Sequence, residues 1–117
     1  MVEGGIDIYL VKNVIIFVDT AGLITCINSH AEKFFGCVTG EVIGKPLIGT
    51  LIPADGFDGK DLTKLINNLV NLPAQSVKVR YEAMRKDGSR ELLEWTNTAI
   101  MAEDGSVTGI MTIGEYI

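Results

Sequence analysis

The chain predicts an α+β domain, an antiparallel sheet with helices packed on one face. Three observations carry that reading. Two Asp-Gly dipeptides, Asp87-Gly88 and Asp104-Gly105, lie between apolar-rich segments and supply the positive backbone angles of tight hairpins. Val77, Val79, Tyr81 and Ala83 alternate with Ser76, Lys78, Arg80 and Glu82, the period-two pattern of a half-buried strand. Strand-like segments occupy both ends of the sequence and helix-like ones the middle, a segregation that favours this class over a parallel sheet.

Taken in order, residues 1–13 combine a flexible Gly4-Gly5 with apolar Ile6, Ile8, Tyr9 and Leu10, which suits a short amphipathic helix or an arm across the domain. Residues 14–19 form a β-branched strand, Asp19-Thr20-Ala21-Gly22 a turn, and 23–28 the returning strand. Ser29-His30-Ala31-Glu32 fits a capping box, with Ser29 covering the third helical amide and Glu32 reaching back. Ala31, Phe34 and Phe35 share one helix face, and Gly36 is placed to end the helix. A second short turn starts at a capping Thr39 and stops at Gly44, before Lys45-Pro46 forbids continuation. Leu47, Ile48, Leu51 and Ile52 follow, closed by Pro53. After a polar loop at 54–59, Asp61 caps the longest helix, whose stripe is Leu62, Leu65, Ile66, Leu69 and Val70; Asn71-Leu72-Pro73 stops it.

Three antiparallel strands fill residues 75–114. The middle one carries the single tryptophan, and alternation sets Glu91, Leu93, Trp95, Asn97 and Ala99 toward the core. A two-residue loop at Asp87-Gly88 would oppose Tyr81 and Glu94, mixing faces. A three-residue loop, Lys86-Asp87-Gly88 with Gly88 left-handed, opposes Tyr81 to Leu93 and Val79 to Trp95, and is preferred. In the last strand, polarity alone would turn Val107, Met111 and Ile113 inward. A two-residue turn at Asp104-Gly105 instead pairs Asn97 with Thr112 and Trp95 with Gly114, turning the threonine face in; the turn is given more weight.

The totals bound function. At 117 residues there is room for one core. A hydrophobic fraction of 47% and a charged fraction of 21% describe a folding chain. A net charge of -5 without a Lys/Arg cluster argues against nucleic-acid partners and anionic membrane surfaces. No apolar run reaches the ~20 residues of a membrane span. Cys26 and Cys37 have no metal or redox spacing and read as reduced, mostly packed thiols. No nucleophile triad, metal-ligand spacing or phosphate loop is present, and Glu91 and Glu94 fall on opposite strand faces, so no enzyme is expected.

This layout resembles the PAS sensory domain. The residues that carry the likeness are Asp19-Thr20-Ala21-Gly22, Asn28-Ser29-His30-Ala31-Glu32-Lys33-Phe34-Phe35-Gly36, Glu41-Val42-Ile43-Gly44-Lys45-Pro46, Arg85-Lys86-Asp87-Gly88 and Glu103-Asp104-Gly105. The look is closest to PAS modules of bacterial sensor histidine kinases and diguanylate cyclases. The resemblance implies a five-stranded sheet in order 2-1-5-4-3 with helices walling a pocket, spanning 14–117, cytoplasmic, and excised from a larger signalling chain. Pocket candidates are then Phe35 and Ile52, Leu65, Ile66 and Leu69 on the long helix, Val79, Tyr81, Leu93, Trp95 and Asn97 on two strands, and Ile110 and Thr112 on the last.

Cofactors that such domains hold make residue demands. Residues 47–72 contain no histidine to ligate haem, and the sole histidine, His30, suits a solvated first helical turn. The stretch Gly44-Lys45-Pro46-Leu47-Ile48 has no thiol for a covalent flavin. A non-covalent flavin or small organic ligand stays open. Trp95 reads first as the largest core residue, and the amide of Asn97 must be satisfied by backbone, water or a ligand. Because the resemblance sets the first strand beside the last, Ile15, Phe17, Val107, Met111 and Ile113 are expected to form an exposed apolar patch, suited to a homodimer or a flanking output segment.

Overall fold

The computed structural model describes residues 13–53 and 76–117. The expected long helix, with Leu65, Ile66 and Leu69, and the arm before Asn13 lie outside the described residues. Five strands, β1 (Val14–Val18), β2 (Ile24–Ile27), β3 (Ser76–Met84), β4 (Arg90–Met101) and β5 (Val107–Tyr116), and two helices, α1 (Ser29–Phe35) and α2 (Thr39–Val42), make up the described chain. The sheet is antiparallel in the order β2-β1-β5-β4-β3. This is the order the family resemblance implies.

All three hairpins close on the same three-residue loop. Asp19 N–H donates to Leu23 O at 2.9 Å, Arg85 N–H to Ser89 O at 2.8 Å and Ala102 N–H to Ser106 O at 2.8 Å. In each loop the last residue is a left-handed glycine: Gly22 (φ 84), Gly88 (φ 90) and Gly105 (φ 85). An aspartate just before the first loop and within the other two adds bonds to following groups; Asp19 Oδ1 accepts from Ala21 N–H at 2.9 Å, Asp87 Oδ1 from Ser89 N–H at 2.8 Å and Asp104 Oδ1 from Ser106 N–H at 2.9 Å. The bonds to Asp87 and Asp104, led by the serine hydroxyls, hold those two carboxyls below the usual aspartate range.

The turn at 103–105 corrects one expectation. The loop has three residues, not two, and pairs Met101 with Val107. A register shift at Ile100/Met101 then restores the pairing of Asn97 with Thr112 and Trp95 with Gly114. The expected register is present, produced by a bulge rather than by a shorter turn.

The cap of α1 is a second correction. Asn28, not Ser29, is the N-cap, its Oδ1 accepting from Ala31 N–H at 2.9 Å. The same oxygen accepts from Ile15 N–H at 3.1 Å, and Nδ2 donates to Asn13 O at 2.8 Å. A fully buried amide that serves both helix and strand outcompetes a hydroxyl that could serve only the helix. Glu32 does not reach back; its carboxylate accepts from Thr39 N–H at 2.7 Å and Thr39 Oγ1 at 3.1 Å, joining α1 to α2. Thr39 is therefore the first helical residue, following Val38 at the cap. Gly36 ends α1 in the left-handed region as expected.

Core side chains come from one sheet face and the helices. Val14, Ile16 and Val18 of β1 join Ile24, Ile27, Ala31, Phe34, Phe35, Val42, Leu47, Leu51 and Ile52 with the inward residues of β3, β4 and β5 in one cluster.

Candidate functional site

The inner face of β3, β4 and β5 carries the candidate site. Register sets Val79 opposite Trp95 and Trp95 opposite Gly114, a row across three strands. The Trp95 ring stacks on Tyr81, centroids 5.4 Å apart and planes 9° from parallel. Its Nε1–H donates to Tyr81 O at 3.1 Å, so the buried indole is satisfied without a ligand. Beneath it, a Cβ on Gly114 would come within 2.9 Å of Trp95 Cζ3 and 3.1 Å of Leu93 Cδ1. Any side chain there would require the indole and Leu93 to shift.

Beside this stack lies a polar trio inside an otherwise apolar wall. Asn97 Nδ2 donates to Val77 O at 3.1 Å and more weakly to Trp95 O at 3.4 Å. Thr112 is directly opposite Asn97, and both are buried. The Tyr81 phenol is close enough to Thr112 and Asn97 for both to act on its ionisation. Burial dominates and pushes that phenol far above its usual range, and the two neighbours offset it only in part. The Thr112 Oγ1 has no hydrogen bond of good geometry among the described residues. Hydroxyls and an amide placed this way can hold the polar edge of a small molecule whose ring lies on the apolar wall.

Of the expected pocket residues, Phe35, Ile52, Tyr81, Leu93, Trp95 and Ile110 are buried in one core cluster, with Val79 half-buried against it. Sequence reasoning passed over Ile16, which is fully buried and pairs with Thr112. Its strand, Val-Ile-Ile-Phe-Val, is apolar on both faces, so no alternation marks the inward side. It also passed over Asn28, whose position one residue before the expected serine cap was the available signal.

The outer face departs from expectation. Ile15 is 3% exposed, and Phe17, Val107, Met111 and Ile113 are half-buried rather than open. Cross-strand pairing explains part of this: Ile15 faces Ile113 and Phe17 faces Met111, so each shields the other. What remains is a shallow groove of about 390 Å³ lined by Phe17, Val18, Thr25, Cys26, Ile100, Thr108 and Gly109.

The donor chemistry fits haem and thiol-linked flavin poorly. His30 is directed to Tyr116, its Nε2 2.8 Å from the phenol oxygen, and not into the core. Cys26 lines the outer groove. Cys37 is partly buried, and burial followed by the carboxylates of Glu41 and Glu32 pushes its thiol above the usual range, away from the reactive thiolate. Among the described residues no three His, Cys, Asp or Glu side chains gather as a metal site. No described helix is long and apolar enough to cross a membrane.

Comparison with known proteins agrees with this architecture. The profile of the PAS fold matches residues 8–117, and the chain belongs to that family of sensory modules. It is similar to the PAS domain of a protein from Colwellia psychrerythraea, with 22% identity, TM-score 0.80, and 94% of this chain and 90% of that one covered. It is similar also to the PAS domain of an HTR-like protein from Haloarcula marismortui, at 19% identity and TM-score 0.78 over 94% and 85% of the two chains. A third likeness is to an RNA-binding light-oxygen-voltage receptor, at 17% identity and TM-score 0.76, covering 93% of this chain and 30% of that one. No curated protein matches the chain. As a PAS domain it is a sensory module and not a catalyst.

Proposed function

We propose that this PAS domain is the cytoplasmic sensory module of a bacterial signal-transduction protein, and that it binds a small organic ligand against the inner sheet face. The polar trio of Tyr81, Asn97 and Thr112 set in an apolar wall carries the reading. A filled core with no ligand role has little reason to gather two hydroxyls and an amide at its centre, where each costs desolvation. An aromatic ligand, a non-covalent flavin among them, suits the Tyr81/Trp95 wall. Binding would bias an attached output domain, such as a histidine kinase or diguanylate cyclase, through the outer face and a homodimer formed there.

Native mass spectrometry and visible absorption of the purified protein test the reading. A bound mass is expected in the wild type, and its loss in Asn97→Leu/Thr112→Val with folding intact. A wild type that carries no bound mass, and whose melting temperature moves with no metabolite or flavin, removes the ligand.

A second reading, a ligand-free dimerisation module, draws on the apolar groove of the outer face. Sedimentation of the wild type against Met111→Glu decides it: a dimer broken by the charge supports it, and a monomer in both ends it.

A further inference from the structure

The end of β5 is fastened to α1 by a contact that neither the sheet nor the core requires. Tyr116 is the last residue of β5 and pairs with Leu93. Its position two residues after Gly114 sets it on the inner, helix-covered side. From there its ring reaches α1. The phenol oxygen lies 2.8 Å from His30 Nε2, with the two rings edge to face at 5.9 Å. Phe34, one turn on, meets the same ring at 5.9 Å and 60°.

Arg85 also holds Phe34. The Arg85 guanidinium lies 4.3 Å from the Phe34 ring centroid, its Nε–H donates to Phe34 O at 3.1 Å, and its Nη2 is paired with Glu91. Lys86 N–H donates to Phe35 O at 2.9 Å, so the β3–β4 loop also satisfies the C-terminal carbonyls of α1. Helix α1 is thus a fixed post. Tyr116, half exposed at 49%, leans on it.

Gly114 joins this contact to the inner wall. The Trp95 ring rests where a Gly114 side chain would be, so a shift of the indole toward β5 presses on the backbone two residues before Tyr116. We infer that Tyr116 and His30 form a latch that fixes the exit of β5 on α1, and that the position of the Trp95 ring sets how firmly the latch is closed. The inference rests on the sensory reading for its input, while the latch itself needs no ligand.

Amide hydrogen exchange on the whole chain, without ligand, tests the latch. Tyr116→Phe keeps the ring on Phe34 and removes only the phenol oxygen. Exchange at residues 114–117 is expected to rise roughly threefold to tenfold, the change one net hydrogen bond makes in a local opening equilibrium. Residues 24–27 of β2, which pair with β1 and not with β5, should exchange as before. His30→Phe should give the same rise, and the double variant no more than either single one. Unchanged exchange at 114–117 in Tyr116→Phe, or effects of the two variants that simply add, overturns the latch.

Coupling to the wall is read from the fluorescence of Trp95, the single tryptophan. Acrylamide quenching should increase in Tyr116→Phe, and equal quenching overturns the coupling. Failure of ligand binding leaves both measurements standing, and failure of the latch leaves the bound-mass experiment standing, so the two readings fall separately.

Discussion

The same strands present two faces of similar hydropathy and different fates. On the inner face Trp95, Leu93 and Ile16 are fully buried, and Tyr81, Ile110 and Thr112 nearly so. On the outer face Phe17, Met111 and Ile113, their neighbours one residue along, remain half-buried, with Phe17 lining a shallow groove. Apolar composition does not separate these sets, since Val and Ile stand on both. Register does, because a shift of one residue would exchange them entirely. The difference teaches that tight packing is concentrated on one face, while the other keeps surface in reserve.

The largest expected break in that contrast comes from truncation. Trp95→Ala should lose about 3–5 kcal/mol of stability, as removal of a packed indole does. Met111→Ala on the outer face should lose only about 1 kcal/mol, in line with partial burial of its side chain. Urea denaturation of both variants checks this, and equal losses would mean that the outer face is packed as tightly as the inner one.

A finer comparison uses the two buried glycines of β5. At Gly114 a methyl group would press on the side chains of Trp95 and Leu93, which can shift. At Gly109, on the outer groove, it would lie 2.5 Å from Val18 O, a backbone atom held in the sheet. Both alanine variants should be destabilised by about 1–3 kcal/mol, Gly109→Ala the more, because backbone yields less than a side chain. Thermal melts of the two variants settle the order.

The smallest effect is a pH dependence to which the inner face contributes through Tyr81. The folded-state pKa of Tyr81 is raised by burial, so below about pH 10 both folded and unfolded chains hold the proton and stability is unaffected. Above it the unfolded chain releases the proton first, and stability should fall by about 1.4 kcal/mol per pH unit. Tyr81→Phe should make that slope shallower, leaving the part that Cys37 and Tyr116, also raised by burial, contribute. Denaturation curves between pH 9 and 11 in both proteins measure it, and parallel slopes would mean that the phenol is not sealed from solvent.

How much of this was legible in the sequence varies by physical cause. Alternation in β3 and β4 fixed their faces, and the Asp-Gly dipeptides located both of their loops. The β4–β5 pairing was also legible, yet the turn length behind it was not, because a bulge adds one residue without any compositional mark. Asn28 was missed because its worth depends on Ile15 and Asn13, residues distant along the chain that only the folded backbone brings to its amide. The run of β1, apolar at every position, marks no inward side by itself, and the family resemblance supplied it by setting Ile15 and Phe17 outward. The Tyr116–His30 contact spans 86 residues between two side chains unremarkable in their local setting.

Because β1 lies beside β5 and runs against it, Val14 stands opposite Gly114. Any polypeptide joined ahead of the first strand and any joined beyond the last would leave from one corner of the domain. A tilt of the sheet would then reach both leads together, and the angle between two attached segments could report what a distance between them would not.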